Sequence, residues 1–367
     1  MATAQPYRVF DDAGNFIADW NAVGGVFWGG YDPFNPTKLR DPYRRVDADA
    51  GSSRTSEVML TLEREVLPDF AVQVVGTYRR YDNFRWDLKY FPDTGEVENN
   101  DWYISVGTPP ASIPGMGDTK EAKNHEWYVM APKYAAYSPY EWRKKRPDFY
   151  QDYYGVDLIF NKRLSNKWML NANFTWQHQA AHYGSEGYLD PTNIWAFDGR
   201  PYAAYIGGAS GKIDQYTYSR WLLKIGGLYQ LPYDFNIAFT FLAREGWVIR
   251  ETFFISDYTV RAWNPRDYEQ RIYMTPFASD RLPTFYNLTI RLEKMIKVGD
   301  TGRIYLMADL FNVLNSAIEN RRYQKDHGTY YVYPDASMNV FVPNPNDYAL
   351  NEILNPRVLR LGVRFQF

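Results

Sequence analysis

The sequence predicts an all-β chain, an antiparallel up-and-down meander of about nine long strands forming part of a larger transmembrane β-barrel. Three observations predict it. Apolar residues recur at every second position rather than at helical spacing. Tight turns alternate with long connections, so one end of the meander is compact and the other is heavily looped. Aromatic residues gather near the strand ends, at Tyr78, Trp168, Trp176, Trp221, Tyr229, Trp247, Phe365 and Phe367.

Taken in order, the first hairpin sets Val58, Leu60 and Leu62 against Thr61 and Glu63, turns at Leu67-Pro68-Asp69, and returns with Val72, Val74 and Tyr78. The second runs Val156, Leu158 and Phe160, turns at Ser165-Asn166-Lys167, and returns with Leu170, Ala172, Phe174 and Trp176. The third places Leu223 and Ile225 around Lys224, turns at Leu231-Pro232-Tyr233-Asp234, and returns with Ile237, Phe239 and Phe241. The fourth carries Leu288, Ile290 and Leu292, turns at Gly299-Asp300-Thr301-Gly302, and returns with Ile304, Leu306, Ala308 and Leu310. A last strand over 358–367 alternates Leu359, Leu361, Val363, Phe365 and Phe367 with Arg360, Gly362, Arg364 and Gln366. Successive side chains of a strand point to opposite faces, so one face of this sheet is oily and the other polar. Turn-forming Pro, Gly, Asn and Asp fall where the pattern breaks. Long connections are expected over roughly 81–150, 180–218, 249–283 and 316–356. Residues 1–56 read as an outer-loop segment with one short strand at Val23–Trp28, and 57–367 as the barrel part.

Alternation alone also fits a soluble sandwich. Strands of about ten residues suit a tilted bilayer crossing better than the typical soluble strand of five or six. In hydrocarbon every backbone polar group needs a partner within the protein, so a spanning sheet must close on itself.

Composition removes other classes. The chain has 367 residues, 41 Lys plus Arg against 43 Asp plus Glu, and a net charge of −2, which argues against nucleic-acid binding. With no Cys there are no disulfides, thiol nucleophiles or thiolate metal sites. Mean hydropathy is −0.51, and no stretch approaches the roughly 18 apolar residues of a membrane helix. The start, MATAQPYRVFDDAG, lacks the basic-then-apolar pattern of a signal peptide.

DLFNVLNS at 309–316 resembles the penultimate-strand signature of TonB-dependent outer-membrane receptors, and LRLGVRFQF at 359–367 resembles their aromatic-ended last strand. The segments 155–177 and 224–241 are similar to hairpins of that family, and so is 57–80, which especially resembles its Oar-like group with a carboxypeptidase-regulatory-like N-terminal domain. The resemblance spans roughly 57–367. It implies a bacterial outer-membrane protein of Gram-negative type that takes up a bulky, scarce solute such as a siderophore, glycan or peptide. In that family a plug domain contacts TonB inside a twenty-two-stranded barrel. This sequence matches none of the signal peptide, TonB box or plug, so it reads as the C-terminal portion of such a receptor. Its implied partners are outer-membrane lipid, the barrel-assembly machinery, N-terminal barrel strands with a plug, and TonB only through that plug. Leu359, Leu361, Val363, Phe365 and Phe367 would be the assembly signal.

No catalytic, cofactor or metal set emerges. His178 and His182 are four residues apart on an extended segment, where they share a face without converging on one ion. GGASGKI at 207–213 lacks the first Gly and the final Ser/Thr of a phosphate loop. The sequons at Asn173 and Asn287 fall inside strands, and the basic run 141–147 reads as a solvated loop face. No carboxylate pair or Ser–His–Asp arrangement supports an enzyme. Trp102, Trp195, Trp247 and Trp263 are the candidate ligand-contacting loop aromatics. Two alternatives stay open at this point: a secreted soluble β-sandwich that binds carbohydrate, and a passive outer-membrane pore or adhesin barrel.

Overall fold

The computed structural model describes residues 9–10, 16–17, 44–135, 140–146, 149–182, 219–249, 251–264, 268–275, 280–299, 301–323 and 325–367. Its main feature is one nine-stranded antiparallel sheet in which neighbours in space are neighbours in sequence. Its strands are β1 (Arg54–Leu67), β2 (Phe70–Asp82), β3 (Tyr150–Ser165), β4 (Trp168–His182), β5 (Trp221–Leu231), β6 (Phe235–Arg244), β7 (Phe285–Val298), β8 (Gly302–Phe311) and β9 (Val358–Gln366). All nine strands expected from the period of two are present in the expected pairs. They run from 9 to 16 residues, enough to cross a bilayer at a tilt of about 45°.

The turns show why the hairpins close so tightly. Asn166 and Lys167 both lie at positive φ (50° and 71°) between β3 and β4. A two-residue turn of that hand matches the right-handed twist of its flanking strands. Tyr233 and Asp234 repeat the device at φ 61° and 58°, and Asp69 takes φ 64° after Pro68.

Register joins the oily rows across strands. Leu62 faces Val74, Val74 faces Leu158, Leu158 faces Phe174, Phe174 faces Leu223, and Leu223 faces Ala243. A second row runs Leu170, Gly227, Phe239, Ile290, Leu310 and Leu359. The missing side chain at Gly227 leaves room for the Phe239 ring, which would stand 2.7 Å from a Cβ there. Because the side-chain period is two, a single register slip would interrupt these rows; none does.

The chain divides into two compact units. One comprises residues 1–50, 86–97 and 139–144, the other 51–85, 98–138 and 145–367. In the first, Arg44–Val46 runs parallel to Tyr140–Lys145, with Trp142 donating to Asp47 Oδ1 at 2.6 Å and sitting under Arg45. Within the segment read as outer loop with one short strand at Val23–Trp28, the described residues hold strands at Val9–Phe10, Phe16–Ile17 and Arg44–Val46; Val23–Trp28 lies outside the described residues.

The second unit holds the nine-stranded sheet and a separate hydrophobic core built by its loops. That core gathers Ile113, Trp127 and Val129 from the β2–β3 connection, Phe253, Ile255, Ile272 and Met274 from β6–β7, and Tyr330 from β8–β9. A four-stranded sheet organises it, in the order Glu269–Tyr273, Glu251–Asp257, Lys325–Val332, Val340–Pro343. Described parts of three of the long connections thus fold together as a cap.

Candidate functional site

The oily face of the nine-stranded sheet is uncovered. None of its residues belongs to the buried core cluster. Leu60 is 75% exposed, Leu361 74% and Phe365 66%, and Phe239, Leu292 and Leu306 in the middle of the sheet are exposed too. A sandwich buries its alternating rows between two sheets, whereas these rows are exposed on all nine strands. A contiguous apolar surface across nine strands far exceeds what a soluble monomer leaves in water. No described helix is long and apolar enough to cross a membrane, which says nothing about crossing by strands.

Both rims of that face carry aromatic rings. At the loop end Tyr78 faces Tyr154 with ring centroids 5.2 Å apart, and Trp176 faces Trp221. At the turn end Trp168 faces Tyr229, and Phe365 faces Ile304 on β8. Two lysines complete the turn-end rim at oily-face positions. Lys162 opposes Leu170, donates to the Arg163 carbonyl at 2.9 Å and lies over Trp168. Lys294 donates to the Tyr233 carbonyl and lies over Phe235. Lys162 is buried and Lys294 half-buried, and both ammonium groups are held by carbonyls at the tight turns. Trp247, grouped by sequence with the girdle, stands beyond the end of β6 under Arg244 instead.

The opposite face is laced by polar contacts. Asp309 on β8 sits between Arg291 on β7 and Arg360 on β9. Its Oδ1 accepts from Arg291 Nε at 2.5 Å, and its Oδ2 from Arg291 Nη2 at 3.0 Å and Arg360 Nη2 at 2.7 Å. Three residues on, Asn312 is buried at φ 46°. Its side-chain nitrogen donates to the carbonyls of Ser316 (3.0 Å) and Asn355 (2.7 Å), and its oxygen accepts from Ser316 N at 3.1 Å. Asn315 Oδ1 accepts from Arg357 N at 3.0 Å. The DLFNVLNS segment therefore does three local jobs: ion pairing on the polar face, a sharp exit from β8, and a clamp on the re-entry into β9. Asn tolerates positive φ and bonds nearby backbone, which is why two of them stand here.

The cap contains a buried ionic hub. Glu251 is 2% exposed. It accepts from Lys120 Nζ at 2.5 Å, pairs with Lys325 Nζ at 3.0 Å, and lies 2.9 Å from His327 Nε2. His327 Nδ1 is 2.7 Å from Asp347 Oδ2. Burial acts to raise the Glu251 pKa, but the hydrogen bonds from His327, Lys120 and Lys325 outweigh it and hold the carboxyl at about 2. The Glu251 hydrogen bond raises the His327 pKa, burial opposes it, and Asp347 adds to the rise. A second hub lies at the loop-end rim, where Glu245 accepts from Arg220 Nε at 2.9 Å and pairs with Arg281 at 3.3 Å. Neither hub was legible in the sequence, since its members lie far apart along the chain.

The aromatic candidates part company. Trp102 is 1% exposed and stacked on Tyr134 at 4.2 Å, so its ring is spent on packing. Trp263 packs partly buried against the cap core, Trp247 is half-buried, and Trp195 lies outside the described residues, as does 207–213. His178 and His182 share a strand face opposite Tyr154 and Tyr150; His182 stacks on Tyr150 and pairs with Asp152 at 3.3 Å. Among the described residues no group of His, Asp and Glu is arranged to hold a metal ion. The run 141–145 is a strand rather than an open loop face.

No family model matches the chain, and no curated protein does. Solved structures share its course loosely. The ferripyoverdine receptor of the outer membrane of Pseudomonas aeruginosa has 9% identity and a TM-score of 0.41, with 89% of this chain covering 29% of that one. The outer-membrane transporter YddB from Escherichia coli has 11% identity and a TM-score of 0.42, covering 87% and 33%. The ferric-catecholate import receptor Fiu from Escherichia coli has 10% identity and a TM-score of 0.41, covering 87% and 28%. The chain spans about a third or less of the length of each.

Proposed function

We propose that the chain is part of the wall and outer loops of an outer-membrane β-barrel of the TonB-dependent receptor kind, serving uptake of a bulky, scarce solute rather than catalysis. The carrying observation is the uncovered oily face, continuous over nine strands and bounded by aromatic rims. The oily rows would meet lipid, the Asp309 face would line an aqueous interior, and the cap would stand on the outer side above the long-loop rim. Leu359, Leu361, Val363, Phe365 and Phe367 would be read by the barrel-assembly machinery, and Trp247 and Trp263 remain ring surfaces for a ligand. The DLFNVLNS and last-strand resemblance supports a receptor over a bare pore.

The sheet also constrains its partners. β1 and β9 are its two ends, and among the described residues neither outer edge is paired. Bare edges are untenable in hydrocarbon. In a nine-stranded meander the first and last strands run the same way, so these two edges cannot join antiparallel. Two copies in one orientation would meet with parallel edges as well. An all-antiparallel closure therefore needs an odd number of further strands, the role assigned here to N-terminal barrel strands, with a plug to reach TonB.

Deletion of the coding segment in its host tests the reading. Growth is compared under iron limitation and on glycans or peptides as sole nutrients, beside a strain without TonB. A shared growth defect is expected. A defect unaffected by TonB loss would mean a passive pore, and a protein that purifies folded without detergent would end the membrane reading.

A further inference from the structure

Three long connections meet at one carboxylate. Glu251 begins a cap strand in the β6–β7 connection. Lys120 comes from a short helical turn, Lys120–Asn124, between β2 and β3. Lys325, His327 and Asp347 come from the β8–β9 connection, with Lys325 directly opposite Glu251 in the sheet. The imidazole of His327 is the last link, with Glu251 on one nitrogen and Asp347 on the other.

A neutral imidazole has one N–H and one lone pair, whereas an imidazolium has two donors. Both His327 nitrogens face carboxylate oxygens within hydrogen-bond distance, so both contacts are satisfied only while the ring is protonated. Once the proton leaves, one carboxylate faces a lone pair at under 3 Å. Glu251 keeps Lys120 and Lys325, but among the described residues the Asp347 carboxylate has no hydrogen-bond partner besides His327, and its Oδ1 is buried and unbonded. The contact that yields is therefore His327–Asp347. Asp347 sits in the turn following Val340–Pro343, which is also tied by Asn344 N to the His327 carbonyl (3.0 Å), by Arg322 to the Tyr348 carbonyl (2.7 Å) and, at its far end, by Tyr323 N to the Ala349 carbonyl (2.9 Å).

We propose that His327 is a proton-responsive clasp: charged, it holds the 344–349 turn onto the Glu251 hub, and neutral, it lets that turn loosen from the cap. The other charged groups around the ring are Lys325 and Asp326 from its own strand and Lys120 from the β2–β3 connection, with Arg271 acting on Asp326 from Glu269–Tyr273, two strands away in the same sheet. Glu251 stays ionised throughout the neutral range, so His327 is the group of the hub whose charge changes there. Its raised pKa places the change above the ordinary value of 6.5. The clasp is fully closed below that value and opens as pH rises through the raised one. None of this requires the wall to lie in lipid, so its failure and that of the membrane reading are separate events.

Hydrogen exchange of the full chain in detergent tests it, read by mass spectrometry at about pH 5.5 and about pH 8.5 and corrected for intrinsic rates. Peptides spanning 344–349 should lose protection at the higher pH by roughly tenfold or more, the worth of a charge-assisted hydrogen bond. Peptides of β4 report whether the fold survives and should not change. In His327→Gln, which donates to one carboxylate at every pH, the 344–349 peptides should exchange at both pH values as the unaltered chain does at the higher. In Asp347→Asn the pH dependence should vanish with the fold intact. Equal protection at both pH values, or a pH dependence that survives His327→Gln, overturns the clasp.

Discussion

Phe174→Arg is the substitution that most directly weighs the wall. Phe174 lies near the middle of β4 between Leu158 on β3 and Leu223 on β5, on the oily face. An arginine at mid-depth on a lipid-facing barrel position costs about 2–4 kcal/mol, which is roughly 30- to 900-fold in the folding equilibrium. The same residue at Tyr229, on the turn-end rim, should cost only about 0–1 kcal/mol, because its charge reaches the interface. Asn171→Arg on the polar face, beside Asn161 and Gly226, places the charge in water and should cost little. The assay, on the chain joined to the strands that complete its barrel, is urea unfolding from phospholipid vesicles followed by tryptophan fluorescence. The absence of native Cys permits a parallel reading, in which single cysteines along 170–176 should react with a charged, membrane-impermeant thiol reagent at odd positions and resist it at even ones. Equal costs for Phe174→Arg and Asn171→Arg, or uniform labelling along the strand, would refute the assignment of faces.

Further expectations concern the exit of β8, the cap and the sheet edges. Asn312→Ala removes the bonds to Ser316 and Asn355 and puts a side chain that disfavours positive φ at 46°; a loss of about 1–3 kcal/mol in urea unfolding is expected, with faster protease nicking between β8 and β9. Glu251 has a folded pKa of about 2 against an ordinary 4.5, so its contribution is present above 4.5 and is lost as pH falls toward 2. Thermal melting between those values should therefore show an acid loss that is absent in Glu251→Gln. Appending one amphipathic strand after Phe367 should allow the sheet to close antiparallel, read as heat-modifiable migration in electrophoresis, whereas appending a two-strand hairpin should not. Closure by the unextended chain, shown by a disulfide between Thr61→Cys and Gly362→Cys, would refute the parity argument.

The wall was legible because its signal is local and repeated: nine strands alternate oily and polar residues, and turn residues punctuate them. Even there, Lys167 and Tyr233 adopt positive φ without the preference of Asn or Gly, since the twist of the flanking strands dictates the turn. The cap was not legible, for the opposite reason. Its strands are short, from Val340–Pro343 to the longer Lys325–Val332, and one of its pairings is parallel between segments some seventy residues apart. Periodicity cannot register over so few residues. Likewise, Trp102 could be singled out as an aromatic in a loop, but only the approach of Tyr134 shows its ring to be covered.

The same contrast separates what each region can tolerate. Wall positions answer to a rule of face, so many apolar residues satisfy each one and substitutions within a class should be mild. The hub of Glu251, Lys120, Lys325 and His327 answers to specific partners drawn from three connections, and removing any one leaves a buried charge short of its complement. A turn of the cap held by an ionic contact can loosen locally without disturbing the nine-stranded sheet, because the strands of that sheet are paired only with one another. A proton at His327 would therefore act on the cap and leave the register of the nine-stranded sheet unchanged.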